Sequence, residues 1–252
     1  EAAPSQPQPE IKGLSGLRPV MQLSERMAAV ADMVTPGCRL ADVGCDHGYL
    51  SVWLCGKKIA RRAVALDVSR GPLRSAARSV AAAGLEAYIE TRLSDGLAAV
   101  APGEVDSVVI AGMGGRLMCR ILKEGKSVLA GIRELVLEPQ SEASEVRKFL
   151  QQEQFQIDKE DMVREAGKFY PVIRAVPGAV TGKMTEEELR FGPLLLRDRH
   201  PVLRQLLDKE ERTYIKIRES LEGQQGEKAS ARLLEIQKEL RYIRRAVAYY
   251  EE

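Results

Sequence analysis

Residues 40–50, LADVGCDHGYL, combine acidic residues and glycines in a spacing that could bind a cofactor. An apolar stretch ends at Asp42, and Gly44 and Gly48 then bracket Asp46 before a second apolar stretch begins. The pattern predicts a strand, a tight loop and a helix start, which together bring backbone N–H groups against an anionic or polar cofactor. The motif alone is weak, because Asp46 stands where G-x-G-x-x-G has its middle glycine.

A second acidic residue strengthens this interpretation. The mostly apolar run 62–66 ends in Asp67, at about the separation where such folds place a ribose-binding carboxylate. Between them, Asp46 and His47 are expected to contact the cofactor or to shape the loop. Dinucleotides and S-adenosylmethionine both present a ribose diol, so two cofactor classes remain open at this point.

The elements that must position these residues alternate along the chain. Ser24 is a plausible N-cap of a first helix that ends at Pro36-Gly37. Strands are predicted at 39–43, 63–67, 87–92, 106–110 and 133–138, and helices near 48–58, 71–83, 114–124 and 142–153. This alternation predicts an α/β fold with a mostly parallel sheet and helices on both faces.

Two further strand-like runs, 156–163 and 168–176, follow with no helix between them and predict an antiparallel hairpin at the sheet edge. A parallel sheet finished by such a hairpin is the usual methyltransferase variant of the doubly wound fold. Dinucleotide-binding domains lack it, so the pattern favours a Rossmann-like class I methyltransferase sheet and S-adenosylmethionine as cofactor.

Two more motifs follow predicted strands and supply candidate site residues. After the third strand, Asp95 is expected to accept a hydrogen bond from the cofactor's adenine amino group, with Gly96 beside it; the alternative is a capping Asp-Gly turn. After the fifth strand, Glu138 and Gln140 flank a proline and could fix the polar edge of a substrate, or simply precede a helix.

The fourth strand is predicted to run into Ala111-Gly112-Met113-Gly114-Gly115, where the methyl donor meets its acceptor in this fold. We expect Gly112, Met113 and Gly114 at the reacting centre, Ala111 beside the cofactor and Gly115 beside the substrate. Glycines there let a flat base approach the backbone. A plain turn would not require the conformational entropy that three glycines in four residues cost.

The chain changes character after Pro177-Gly178. We divide it into a disordered tail at 1–18, a methyltransferase domain at 19–178 and a helical domain at 179–252. Apolar residues that step by four and three predict an antiparallel coiled-coil hairpin, interrupted by Glu210 and turning at Gly223 and Gly226. Its arginines Arg241, Arg244 and Arg245 are candidates for phosphate contact, and a solvated helix face is the alternative.

Composition limits the other classes of function. A formal charge of +2 over 252 residues restricts any RNA contact to local patches. Four cysteines without a CxxC pair and only two histidines make a zinc site improbable, so no metal is expected. Without a long apolar run or a signal-peptide pattern, we expect no membrane segment and a cytoplasmic protein, monomeric or weakly dimeric.

From about residue 20 to 252 the chain resembles the bacterial tRNA (adenine(22)-N1)-methyltransferases. The resemblance rests on DVGCDHGYL at 42–50, SDGL at 94–97, AGMGG at 111–115, KFY at 168–170, the Leu-Ser-x-Arg helix start and the terminal hairpin. It implies methyl transfer from S-adenosylmethionine to N1 of an adenine in the tRNA D-arm region, with tRNA contact by the hairpin. The family often has Gln-Pro-Asn where this chain has Glu138-Pro139-Gln140.

A reaction at adenine N1 needs no obligatory general base, because N1 carries a free lone pair. We expect catalysis by positioning in a desolvated site, with the base flipped out of its helix. Tyr170 is a candidate stacking platform or a core residue, and Arg26 holds either a phosphate or a structural salt bridge. A small-molecule methyltransferase, a non-catalytic RNA-binding relative and a dehydrogenase are the competing hypotheses.

Overall fold

The computed structural model describes residues 22–179, 182–221 and 226–251 of the chain. Its strands are β1 Cys38–Val43, β2 Ala60–Asp67, β3 Ile89–Leu93, β4 Ser107–Gly114, β5 Glu134–Ser141, β6 Phe155–Glu165 and β7 Lys168–Pro177. Its helices are α1 Glu25–Met33, α2 Tyr49–Gly56, α3 Arg70–Ala83, α4 Gly115–Glu124, α5 Lys126–Leu129, α6 Ala143–Gln152, α7 Glu186–Phe191, α8 Pro193–Arg197, α9 Pro201–Leu221 and α10 Glu227–Ala248. The predicted tail at 1–18 and Gly223 lie outside the described residues.

These strands form one sheet in the order β3-β2-β1-β4-β5-β7-β6. Strands β1 to β5 run parallel, β7 is antiparallel to β5, and β6 pairs antiparallel with β7. The predicted α/β sheet with an antiparallel hairpin at its edge is therefore confirmed. The strand order reverses beside β1, and such a reversal places a ligand crevice at the carboxyl ends of the strands.

Helices cover both faces of the sheet, as the continuous apolar strands require. Leu66, Ile110 and Leu137 face one side, where α4 and α6 contribute to the buried cluster. Ala65 and Val109 face the other side, where α1, α2 and α3 pack. Strands β1, β2, β4 and β5 are thus largely buried on both faces, whereas the edge strand β3 is more exposed.

The fourth strand is longer than the sequence predicted. We expected it to end at residue 110 before a flexible stretch, but β4 continues to Gly114 and pairs with β5 throughout. The register shifts between Ala111 and Met113, and the residue between them, Gly112, has a φ of +76°. The glycine-rich stretch is therefore a bulged strand end, in which Gly112 adopts a conformation that favours glycine.

The C-terminal helices pack at their base against the edge hairpin of the sheet. Leu203 and Leu207 of α9 share a buried cluster with Ile243 of α10 and Met162 of β6. The base of the helical pair is therefore fixed to the sheet rather than separate from it. The coiled-coil geometry and the domain boundary at residue 178 stay predictions. Within the described ranges, no helix is long and apolar enough to cross a membrane.

A buried ion pair joins the helical region to the sheet. Arg147 on α6 and Glu160 on β6 lie 2.9 Å apart and are almost completely buried. The Arg147 Nη1 donates hydrogen bonds to the carbonyls of Leu189 and Arg190, and the Leu194 N–H donates to Glu160. Side chains from α6 and β6 thereby satisfy the backbone at the end of α7 and the start of α8.

Replacing Arg147 by Met is expected to lower the free energy of unfolding by about 3–5 kcal/mol, because Glu160 is left buried without its cation. Urea denaturation measures the effect, and adding Glu160→Gln in the same chain should restore part of the loss.

The matched control is Arg197→Met. Arg197 also pairs with a neighbouring carboxylate, Asp198, but both side chains are exposed. Its substitution should leave the free energy of unfolding close to the wild-type value, because solvent screens an exposed pair. Equal losses for Arg147→Met and Arg197→Met would contradict the special role of the buried pair.

Candidate active site

The loop after β1 is shaped by residues with positive φ. Gly44, Asp46 and Gly48 have φ values of +76°, +49° and +70°. The N–H groups of Gly44 and Cys45 both donate to the Leu66 carbonyl, at 2.8 and 2.9 Å, so the loop is tied to the end of β2. This confirms the predicted strand, tight loop and helix start.

Close packing also requires the second glycine of the loop. A Cβ on Gly48 would lie 3.0 Å from the Cβ of Ala76 and 3.2 Å from its Cα, on α3. Gly48 is also the N-cap residue of α2. Beside this glycine, the ring of His47 stacks on Tyr49 with centroids 5.2 Å apart. Both rings are exposed at the rim of the loop.

Asp42, at the end of β1, is only 5% exposed. Its Oδ2 accepts a hydrogen bond of 2.7 Å from the Ser51 hydroxyl on α2. Burial raises the pKa of Asp42 to about 6, because the charged form loses its hydration, while the Ser51 hydrogen bond acts in the opposite direction. The hydrogen bond with Ser51 fixes α2 against β1, and direct contact with a cofactor stays a prediction.

The ends of β2 and β3 carry a carboxylate beside exposed apolar side chains. Asp67 accepts a hydrogen bond of 2.8 Å from the Ser69 N–H, and its carbonyl accepts one of 2.9 Å from the Ser94 N–H. Val68 is 68% exposed and Leu93 is 47% exposed, so both strand ends present apolar surface to solvent.

This set fits S-adenosylmethionine. The Asp67 carboxylate can accept hydrogen bonds from ribose hydroxyls, and the exposed Val68 and Leu93 can cover the faces of an adenine ring. Asp95 lies in the next turn, where the Arg120 guanidinium contacts it at 3.0 Å. That contact leaves Asp95 more than half exposed, so it remains accessible to an adenine amino group.

Two glycine positions connect these strand ends to the bulged end of β4. A Cβ on Gly44 would lie 2.2 Å from the Cε of Met113, so the Met113 side chain reaches the loop after β1. Gly96 has a φ of +58°, and a Cβ there would lie 2.8 Å from Ile121 on α4. We call the loop 44–48 together with Asp67 and Asp95 the cofactor cradle. Through Met113 it adjoins the AGMGG stretch, which includes Ala111, Gly112 and Gly114.

A second group, which we call the acidic cluster, lies at the ends of β4 and β5. It consists of Arg26, Glu138, Glu165 and Tyr170. The fully buried Glu138 accepts hydrogen bonds at Oε2 from the Gly112 N–H at 2.7 Å and from Arg26 Nη1 at 2.9 Å. Arg26 Nε lies 3.7 Å from Glu165 Oε2, and its guanidinium lies 5.0 Å from the Tyr170 ring centroid.

The acidic cluster bears on the two alternatives that the sequence left open for Arg26, while the role of Tyr170 stays a prediction. Arg26 forms the salt bridges that we considered as the alternative to phosphate binding, so the phosphate prediction for Arg26 is not supported by its contacts. Tyr170 stacks on a guanidinium at the site. Burial raises the pKa of Glu138, and Arg26 together with the Gly112 N–H opposes that rise.

Gly115, Gln140 and the hairpin arginines were also predicted to contact the substrate. A Cβ on Gly115 would lie 2.5 Å from the Glu142 carbonyl, so this glycine is needed for packing of α4 against the β5–α6 turn. Gln140 lies near Gly112, since its Nε2 is 3.7 Å from a Cβ built there. The hairpin arginines line a groove of 470 Å³ formed by α9 and α10: Arg218, Arg241, Arg244 and Arg245.

Sequence reasoning missed several partners. Glu165 pairs with Lys168 in the β6–β7 register and Val163 pairs with Tyr170, so the hairpin register could have placed Glu165 near Tyr170. Ser51 on α2 contacts Asp42, and Arg120 on α4 contacts Asp95. No local sequence pattern indicates either contact. Within the described part of the chain, no group of His, Cys, Asp and Glu could hold a metal ion.

The sheet order and the cradle at its carboxyl edge define a Rossmann-like methyltransferase. The family model for tRNA (adenine(22)-N(1))-methyltransferase matches residues 40–245. The tRNA (adenine(22)-N(1))-methyltransferase of Bacillus subtilis is 36% identical over 186 residues, which cover 72% of this chain and 78% of that protein. The chain belongs to this family, and the resemblance predicted from its motifs is confirmed.

Solved structures agree with this assignment. The crystal structure of the B. subtilis M1A22 tRNA methyltransferase TrmK matches with a TM-score of 0.81 and 31% identity, covering 90% of this chain and 99% of that one. M. capricolum TrmK, in complex with its natural cofactor product S-adenosyl-homocysteine, matches with a TM-score of 0.79 and 26% identity, covering 90% and 98%. The helical C-terminal region is thus included in the structural match.

The raised pKa of Asp42 predicts a pH-dependent effect on stability. The native state holds this proton more tightly than the unfolded chain, so Asp42 weakens the fold as pH rises from about 4 to above 6. Asp42→Asn keeps an acceptor for Ser51 and removes the buried charge. The unfolding free energy of the variant minus that of the wild type should therefore rise by up to about 3 kcal/mol from pH 4 to pH 7.

Denaturant unfolding of both proteins at several pH values measures this difference. Glu86→Gln is the control, because Glu86 is exposed on the surface and its substitution should give a pH-independent difference near zero. A flat difference for Asp42→Asn across the same range would show that burial does not perturb this carboxyl.

Proposed function

We propose that this chain transfers a methyl group from S-adenosylmethionine to N1 of adenine 22 in tRNA. The observation that carries the proposal is the meeting of two sites at the bulged end of β4. The cofactor cradle lies on one side of Gly112, toward β1 and β2, and the acidic cluster lies on the other side, toward β5. A methyl donor and an acceptor base bound there would face each other across Gly112 to Gly114.

The cofactor supplies an electrophilic methyl group. The N1 lone pair forms the new N–C bond while the C–S bond breaks, and the methylated base carries the positive charge. No proton has to leave, so the residues here need only to orient the two partners and exclude water. This suits the acidic cluster, whose charged side chains are the two carboxylates of Glu138 and Glu165 and the guanidinium of Arg26.

A tRNA substrate fits the positive groove of the helical hairpin. Arg241, Arg244 and Arg245 lie together on α10 and face Arg218 of α9. Arg244 and Arg245 are more than half exposed, and their ion pairs with Glu211 and Glu187 are long, at 3.5 and 3.7 Å. We propose that this groove contacts backbone phosphates while the target base is flipped into the acidic cluster. The reaction would occur in the cytoplasm; the oligomeric state stays a prediction.

The cofactor assignment predicts the effect of Asp67→Ala. Loss of a charged acceptor for the ribose hydroxyls should weaken S-adenosylmethionine binding by about tenfold to a hundredfold, as measured by titration calorimetry. Asp32→Ala, on the exposed face of α1, is the control and should bind as the wild type does. Unchanged affinity for Asp67→Ala would remove Asp67 from the cofactor site.

The reaction itself is tested with labelled S-adenosylmethionine and an unmodified tRNA transcript. Nucleoside analysis should find 1-methyladenosine in the product, and a transcript with guanine at position 22 should take up no label. Label at another position would refute the choice of adenine 22. Cofactor binding without any methylated RNA would instead favour a small-molecule substrate.

A further inference from the structure

One carboxylate oxygen of the acidic cluster has no hydrogen-bond partner. Oε2 of Glu138 accepts two hydrogen bonds, but Oε1 is buried and accepts none from the described residues. A buried acceptor without a donor is costly, and more so when it carries charge. Because this atom lies beside the proposed reacting centre, it is available to accept a hydrogen bond from a bound molecule.

The charge of the cluster has the sign that would hold a cationic ligand. One guanidinium, Arg26, stands between the carboxylates of Glu138 and Glu165, so one positive charge faces two negative charges. Tyr170 adds an aromatic face. The cluster therefore retains negative charge where it approaches Gly112.

The base of the proposed reaction becomes cationic as the methyl group is transferred. Positive charge spreads over N1, C6 and the exocyclic amino group, which becomes a stronger hydrogen-bond donor. An acceptor beside that amino group therefore gains strength between the ground state and the transition state. Only interactions of this kind accelerate the chemical step.

We propose that Glu138 Oε1 accepts a hydrogen bond from the adenine exocyclic amino group and stabilises the cation that forms on the base. This inference rests on the proposed function and adds to it one carboxylate that stabilises the transition state. Oε1 is shielded from solvent, so a base reaches it only after side chains at the rim move. Gln140 is exposed two residues further along β5, and its Nε2 lies near Gly112, so it is a candidate for such a movement.

Glu138→Gln tests what the charge contributes, since it keeps the size of the side chain and places there the residue of the family pattern. At saturating tRNA and cofactor, single-turnover methylation should slow by about tenfold, because a charge-assisted hydrogen bond is replaced by a neutral one. The KM for tRNA should change less than twofold. Glu86→Gln, on the exposed surface, is the control and should react at the wild-type rate.

A pH series separates this role from a purely structural one. The ratio of wild-type to Glu138→Gln rates should be largest where Glu138 is ionised and should fall toward one as the pH drops. The charged or titratable groups that face Glu138 are Arg26 from α1, Glu165 from β6 and Tyr170 from β7. Equal rates with the same pH profile in both proteins would overturn the proposal.

A binding measurement distinguishes failure of this inference from failure of the proposed function. A tRNA that carries 1-methyladenosine at position 22 should bind the wild type several-fold more tightly than Glu138→Gln, while the unmodified tRNA should bind both proteins equally. Methylation of tRNA without this difference would refute only the role of Glu138. Absence of methylation by the wild type would refute the proposed function itself.

Discussion

Carboxyl groups that folding removes from water determine much of the local structure in this protein. Asp42 lies near the carboxyl end of β1 and Glu138 near that of β5. Glu160 lies on β6, beside the start of α8. Each burial is unfavourable unless a donor is fixed nearby. The Ser51 hydroxyl, the Gly112 N–H and the Arg147 guanidinium are those donors. The elements that carry them, α2, β4 and α6, are consequently held where the carboxyl groups need them.

The bulge at Gly112 shows how this constraint shapes the site. A regular strand would direct its N–H groups into the ladder with a neighbouring strand. The positive φ of Gly112 shifts the register, and its N–H then donates to a side chain of β5, Glu138. The same shift brings Met113 beside the loop after β1. One backbone irregularity therefore connects the cofactor cradle to the acidic cluster.

The sheet could be predicted from sequence because its signals are local. Apolar runs, the alternation with helices and the hairpin after residue 155 set the element types and order, and Gly44 and Gly48 marked their loop. The continuation of β4 to Gly114 was missed, because glycines disfavour strands and only pairing with β5 stabilises one there. The contacts of Arg26 with Glu138 and Glu165 join residues more than a hundred positions apart, and no local pattern encodes them.

The placement of the two histidines supports catalysis without a general base. His47 lies on the exposed loop after β1, and His200 pairs with Asp161 beneath the C-terminal helices. Neither belongs to the acidic cluster. In the proposed reaction a cationic donor reacts with a neutral base and leaves a cationic base, so positive charge moves across Gly112 but none is created. A site with excess negative charge on the acceptor side favours that movement, and it does so with groups already oriented in the folded protein.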